Sequence, residues 1–298
     1  MIGSAAAFGA GTALLWGVSD VFARLAGRAT GVLVTTFMLM VFGTILMVLY
    51  VWVSGTSIDW DTSGYWLIAA TAVGMALGTF ITYAALTRGP VSLASPAVAS
   101  YPAISVPVSI AFGARPDVPH WIAMAGTMAG VWLVARAVRG HDNGERPDYG
   151  WANVRVTLLL SGLAAVIFAL SLLAADLATD RYGWAQTLIG GRMIGVVLLG
   201  IFIIVVLVRA RRPPKFANVP RRTWPLLVLI GILDTAGNAV LYAGLAQPNG
   251  EYAIVASVAY TAVTTVIARI FLREPVALIQ WLGIGLIIGG VGALAATG

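Results

Sequence analysis

Cysteine is absent from this chain and histidine occurs only twice. The first absence excludes a disulfide scaffold and thiolate metal sites. The second leaves His120 and His141 in loops well apart in sequence. No HExxH, no GxSxG elbow and no Walker loop occurs either, so neither an enzyme nor a metal or other cofactor is expected. Charge is scarce: Asp, Glu, Lys and Arg make up 10% of the residues, against about a quarter in soluble domains. The opening residues, MIGSAAAFGAG, lack a basic segment before the first apolar run, so no cleavable signal peptide is expected.

What fills the chain instead is apolar. Hydrophobic residues make up 59% and the mean hydropathy is +0.91, which marks a membrane protein. Runs of about 20 mostly apolar residues, the length that crosses a hydrocarbon core of roughly 30 Å as a helix, predict ten spans at 4–27, 32–53, 64–86, 91–112, 119–137, 152–177, 184–208, 223–246, 252–272 and 275–296. The net charge of +6 sits in the short loops between them, so it encodes topology rather than nucleic-acid binding. Loops after odd-numbered spans hold nearly all the basic loop residues, and the even ones hold only Arg115 and Arg181 beside the acidic Asp59 and Asp61. By the positive-inside rule the odd loops face the cytoplasm and both termini lie outside.

The polar run RGHDNGERPD, at 139–148, divides the chain in two. The expected organisation is a five-helix repeat at 1–138, a polar inter-repeat loop at 139–151 and a second repeat at 152–298. An offset of 152 places Trp16 on Phe168, Met40 on Arg192 and Gly43 on Gly195; an offset of 160 places Trp121 on Trp281 and Gly130 on Gly290. Five spans per half force opposite orientations, which is the inverted-repeat plan of many secondary transporters. The fold class expected is therefore an all-α polytopic membrane protein, with ten transmembrane helices as two inverted five-helix repeats around a central cavity.

One span stands out. In WPLLVLIGILDTAGNAVLYAGLA, Asp234, Asn238 and Tyr242 recur every fourth residue and share one helical face. A carboxylate at bilayer depth costs a few kcal/mol even on lenient scales, so it faces protein or water and carries function by default. Either it binds solute or protons, or it is held by Asn238 or by a basic partner such as Arg192. Asp20 presents the same choice: an acceptor for a proton or a substrate ammonium, or a structural pair with Arg24 one turn on. Asp176, near Asp180 at a span edge, reads as solvated more than functional. Arg192 and Arg269 are candidates for a substrate carboxylate, with pairing or snorkelling as the alternative.

Aromatic residues form two groups. Trp16, Tyr83, Tyr101, Phe168, Tyr242 and Tyr260 fall inside spans, where rings stack on a solute and hydroxyls fix its polar end. Trp52, Trp60, Trp66, Trp151, Trp184 and Trp224 sit at span edges, as an interfacial belt requires. Pro102 and Pro107 interrupt the fourth span's hydrogen-bond ladder, either exposing carbonyls or bending it. Gly126, Gly130, Gly285, Gly289, Gly290 and Gly292 read as small-residue faces that pack within one protomer or between two.

Several of these segments resemble the EamA-type repeat of the drug/metabolite transporter superfamily. LREPVALIQWLGIGLIIGGVGA, with Arg273, Glu274 and Pro275 at the turn, is similar to the end of such a repeat. LLWGVSDVFARLA resembles its opening helix, SPAVASYPAISVP its Pro-containing fourth helix, and Arg192 the Arg of its second helix. The first half departs from the pattern, with Ala114, Arg115 and Pro116 in place of the turn acid and Met40 in place of the second-helix Arg. The resemblance implies a ten-helix carrier with a cavity lined by the first, third, fourth, sixth, eighth and ninth helices. It also implies that both termini are cytoplasmic, against the basic-residue pattern.

The expected function is secondary active transport of small organic metabolites by alternating access, with the solute and membrane lipids as partners and a monomer or homodimer as the unit. The resemblance implies amino acids or related compounds, commonly exported. Proton coupling is assigned to Asp234 or Asp20. A passive channel would need a continuous polar pore, and an intramembrane enzyme stands further off. The expected site comprises Trp16, Asp20, Tyr83, Tyr101, Phe168, Asp234, Asn238, Tyr242 and Tyr260. Subtracting 160 from the stripe of the eighth span gives Gly74, Gly78 and Thr82, so the cavity is expected to be lopsided, with glycines opposite leaving room for a solute.

Overall fold

A computed structural model describes residues 5–89, 91–111, 115–137, 150–210, 219–272 and 276–297. The turn at Arg273, Glu274 and Pro275, Ala114, His141 and nearly all of the inter-repeat loop lie outside the described residues. Among those described, every regular element is a helix. They are α1 (Ala5–Thr30), α2 (Val32–Ser54), α3 (Tyr65–Arg88), α4 (Val91–Val98), α5 (Pro102–Ala111), α6 (Val118–Ala137), α7 (Gly150–Ala210), α8 (Trp224–Leu245), α9 (Glu251–Ser257), α10 (Tyr260–Phe271) and α11 (Leu278–Thr297). Six stretches, 5–30, 32–54, 62–88, 153–209, 221–245 and 251–271, are long and apolar enough to cross a membrane. Three shorter ones, 93–108, 118–134 and 278–294, are apolar as well. Large apolar side chains such as Leu159, Ile204 and Ile288 point outward, as they do where lipid replaces water as the solvent.

Three expectations about helix limits need correction. The fourth span is broken between α4 and α5 at 99–101, and the ninth between α9 and α10 at 258–259. Pro102 stands directly after the first of these breaks and opens α5, whereas Pro107 stays inside it; at that first-turn position the missing N–H of Pro102 has no intrahelical partner to lose. The sixth and seventh spans are not separated by a loop at 178–183, because the helix runs on to a single residue, Gly183, at φ 77°, ψ 159°. Only glycine adopts that backbone readily. Gly31, between α1 and α2, has nearly the same backbone at φ 89°, ψ 149°, and the two are 152 residues apart.

Helix packing repeats itself in the same way. On α1, Thr12 Oγ1 donates to the Gly237 carbonyl at 3.1 Å, and Trp16 lies so close to Gly237 that a Cβ there would meet its ring at 2.6 Å. On the first arm of α7, Ser171 Oγ donates to the Thr71 carbonyl at 3.1 Å, and Phe168 lies against Gly78 at 2.8 Å from an added Cβ. So α1 lies on α8 as α7 lies on α3. Such interhelical bonds stabilise by about 0.6 kcal/mol each on average, and the close approach adds dispersion contacts. Between α2 and the second arm of α7, an added Cβ at Gly43 would meet Arg192 Cδ at 3.3 Å and one at Gly195 would meet Met40 Sδ at 3.2 Å. The contact is reciprocal, as at a two-fold interface. The small-residue faces of α6 and α11 pack within the protomer at Gly130 and Gly290, while Gly126, Gly285, Gly289 and Gly292 face open space.

At one end the loop after α2 is tied to α7 around Gly183. Arg181 Nη2 donates to Asp61 Oδ2 at 2.7 Å and also to Ser63 Oγ. Tyr182 Oη donates to the Asp61 carbonyl at 2.8 Å, and Gln186 Nε2 donates to the Asp59 carbonyl at 2.7 Å. Hydrogen bonds from Arg181, then from Ser63, hold the Asp61 carboxyl at about 2, below its ordinary 3.8. A depressed carboxyl stabilises the folded state above its ordinary value and loses that contribution as pH falls through the folded one. The stability difference between wild type and Asp61→Asn is therefore expected to be constant near neutrality and to shrink as pH falls from about 4 to 2. Thermal melts across that acid range in detergent check it, and a difference as large at pH 2 as at neutrality refutes it.

Candidate functional site

The cavity lies where the broken helices meet α1, α3, α7 and α8. It is lined by Trp16 and Asp20 from α1, Met75, Thr79, Thr82 and Tyr83 from α3, Val98 and Tyr101 from the fourth span, Phe168 and Leu172 from α7, Asp234 from α8, and Tyr260 from α10. Counted out to its open side, it holds about 520 Å³ of empty space. Seven of the nine expected site residues are brought together here. The other two are not: Asn238 and Tyr242 line a smaller neighbouring cavity with Met40, Thr71, Thr187 and Arg192. Eight residues of helix rise about 12 Å, so the polar stripe is longer than one cavity and divides between two.

The expected wall of glycines is corrected as well. Cβ atoms at Gly74 and Gly78 would lie 2.6 Å from Ser171 and 2.8 Å from Phe168, so these glycines admit α7 rather than a solute. Only Thr82 of the three faces the cavity.

Two aromatic pairs line it. Trp16 and Tyr260 meet edge to face at 6.0 Å, and Phe168 and Tyr101 do so at 6.5 Å. Their hydroxyls are committed elsewhere. Tyr101 Oη and Ser257 Oγ share a hydrogen bond of 2.5 Å, and Tyr260 Oη donates to the Ser95 carbonyl at 3.0 Å. Tyr101 lies at the end of one helix break and Tyr260 directly after the other, and each bonds to the segment before the opposite break. The discontinuities are thus clasped to each other at the cavity's edge.

The two acids differ in their partners. Asp234 Oδ2 receives Arg192 Nη2 at 2.5 Å, with side chains 14% and 5% exposed respectively, and Asn238 Nδ2 at 3.3 Å. The arrangement is the structural alternative raised for Asp234, with both suggested partners engaged at once. Arg192 Nη1 also rests on Met40 Sδ at 3.3 Å, while its Nε is buried with no hydrogen-bond partner among the described residues. Asp20 is buried and receives Ser95 Oγ at 3.5 Å, the outer limit of such a bond. Asp176 stands apart on α7, half-buried.

Two residues of the α3 lining, Met75 and Thr79, were missed in the sequence. They lie at i and i+4 on the face that continues to Thr82 at i+7, but uncharged residues of moderate size give that face no distinguishing signal.

The EamA-like transporter family profile matches residues 3–136 and 155–295. The chain belongs to the EamA-like transporter family. It is accordingly a multi-pass membrane protein of the drug/metabolite transporter superfamily, and that family is one of transporters, not enzymes. A solved structure described only as the crystal structure of a protein is similar to this EamA-like chain at a TM-score of 0.76, covering 100% of this chain and 99% of its own at 19% identity. At that identity the likeness is one of fold. No curated protein matches the chain.

Proposed function

We propose that this EamA-like protein is a secondary active transporter of small organic metabolites, amino acids or related compounds, which it exports across the inner membrane by alternating access. The reading takes ten crossings in two inverted repeats, 1–138 and 152–298, joined by the loop 139–151. The 57-residue stretch at 153–209 would extend about 85 Å as one straight helix, far more than one hydrocarbon core, and Gly183 divides it into two crossings. The observation that carries the reading is the cavity bounded by both helix breaks, with an acid from each repeat, Asp20 and Asp234, on its wall. Broken helices around a site at mid-depth are the usual device of carriers built from repeats, and the two breaks give each repeat a place to bend.

Proton coupling is assigned to Asp20 and Asp234, the acids of the cavity. Reconstituted into liposomes, the wild type is expected to accumulate solute under a pH gradient and to lose that accumulation with a protonophore. Asp20→Asn or Asp234→Asn abolishes the pH-driven component. Full pH-driven transport in both variants sinks the coupling, and flux indifferent to the protonophore favours a passive facilitator.

A further inference from the structure

We propose that the cavity selects organic cations, with a solute ammonium seated against Asp20 and its apolar part between the two aromatic pairs. The inference rests on the transporter reading only for what the cavity is for, and among the small organic metabolites of that reading it favours amines related to amino acids over the amino acids themselves. Its basis is the sign and placement of charge. Among the described residues the lining contains two carboxylates and no Lys, Arg or His. Asp234 has its counterion in Arg192 at 2.5 Å; Asp20 faces the cavity with the long Ser95 hydroxyl contact of 3.5 Å. A buried carboxylate so weakly satisfied favours a positive partner in a cavity that excludes water.

The tyrosines reinforce this. Because Tyr101 and Tyr260 hold Ser257 and the Ser95 carbonyl with their hydroxyls, they offer the solute rings rather than polar tips. Aromatic faces attract cations and apolar groups. Polar recognition therefore falls to Asp20 and to the hydroxyl side of α3, Thr79, Thr82 and Tyr83, where Thr82 Oγ1 is buried without a hydrogen-bond partner among the described residues. A free carboxylate on the solute would need a cation of its own, and the guanidinium beside the cavity already holds Asp234. An amine fits this wall better than a zwitterion, and a zwitterion better than an acid.

Isothermal titration of the purified full-length protein in mildly alkaline detergent buffer tests the order with three probes that share one ring: phenethylammonium, phenylalanine and phenylacetate. The amine is expected to bind, and phenylalanine and phenylacetate to bind about tenfold or more weakly. Asp20→Asn weakens the amine about tenfold or more, whereas Asp20→Glu, which keeps the charge, restores it to within a few fold. No amine binding to wild type, equal binding of phenylalanine or phenylacetate, or an unchanged affinity in Asp20→Asn overturns the proposal. Titration reads equilibrium occupancy, so it fails separately from the carrier reading. Amine binding without liposome flux defeats the carrier and leaves the cation site standing; flux of other solutes without amine binding defeats the cation site alone.

Discussion

Arg192→Met is expected to destabilise the purified protein by about 3–5 kcal/mol, the loss typical when one member of a buried ion pair is removed. The substitution is conservative in shape and places at 192 the residue found 152 positions earlier. What it takes away is the guanidinium that meets Asp234 at 2.5 Å. Asp234 is left with Asn238 Nδ2 at 3.3 Å, a single neutral donor for a charge in low dielectric. Asp234→Leu alone strands Arg192 in the opposite sense. The double variant Arg192→Met, Asp234→Leu leaves no buried charge at this place and is expected to recover most of the stability, since apolar replacement of a whole buried pair is often neutral or better. Chemical or thermal unfolding of the four proteins in detergent gives the coupling. If the two single effects add to within about 0.5 kcal/mol, the pair is not an energetic unit.

Gly130→Leu is expected to damage the α6–α11 packing, with a loss of about 1–3 kcal/mol, while Gly126→Leu on the same helix leaves stability unchanged. A Cβ at Gly130 would lie 2.6 Å from the Gly283 carbonyl oxygen and 2.9 Å from the Ile287 nitrogen. These are backbone atoms, so relief requires moving a helix rather than turning a rotamer. At Gly126 no atom lies within 4 Å of an added Cβ. Melting midpoints of the two variants decide the matter, and equal losses refute it. Particle mass from light scattering on the same samples reads whether the open row of glycines joins two copies; the packing account expects it unchanged in Gly126→Leu.

Much of the fold could be read from spacing. The offset of 152 paired Trp16 with Phe168 and Met40 with Arg192, and in the folded chain the first two make equivalent edge-to-face contacts while the second two touch each other. Helical periodicity likewise put Asp234 in the cavity. Periodicity says which residues share a face, though not how far along the axis a cavity extends, so it did not reveal that Asn238 and Tyr242 line a second cavity. The break in the ninth span was harder still. Nothing in SVAYTA around 258–259 contains Gly or Pro; the break is held by tertiary bonds such as Tyr101 to Ser257, which join residues 156 apart. Gly74 and Gly78 show a similar limit. A glycine in a sequence signals space near a backbone, and only the fold reveals that Ser171 and Phe168 occupy it.

The contact between Arg192 and Met40 bears on how such a chain arises. Residues that meet across a two-fold axis face their own counterparts. Were the two halves separate, identical chains, the position held here by Met40 and Arg192 would present two methionines or two guanidiniums to each other. Two methionines leave Asp234 without a counterion, and two like charges in low dielectric repel. Joining the halves in one polypeptide lets the two copies of one position diverge, and the resulting single positive charge neutralises one acid and not the other. Covalent linkage, rather than any new segment, is what makes the cavity electrically one-sided.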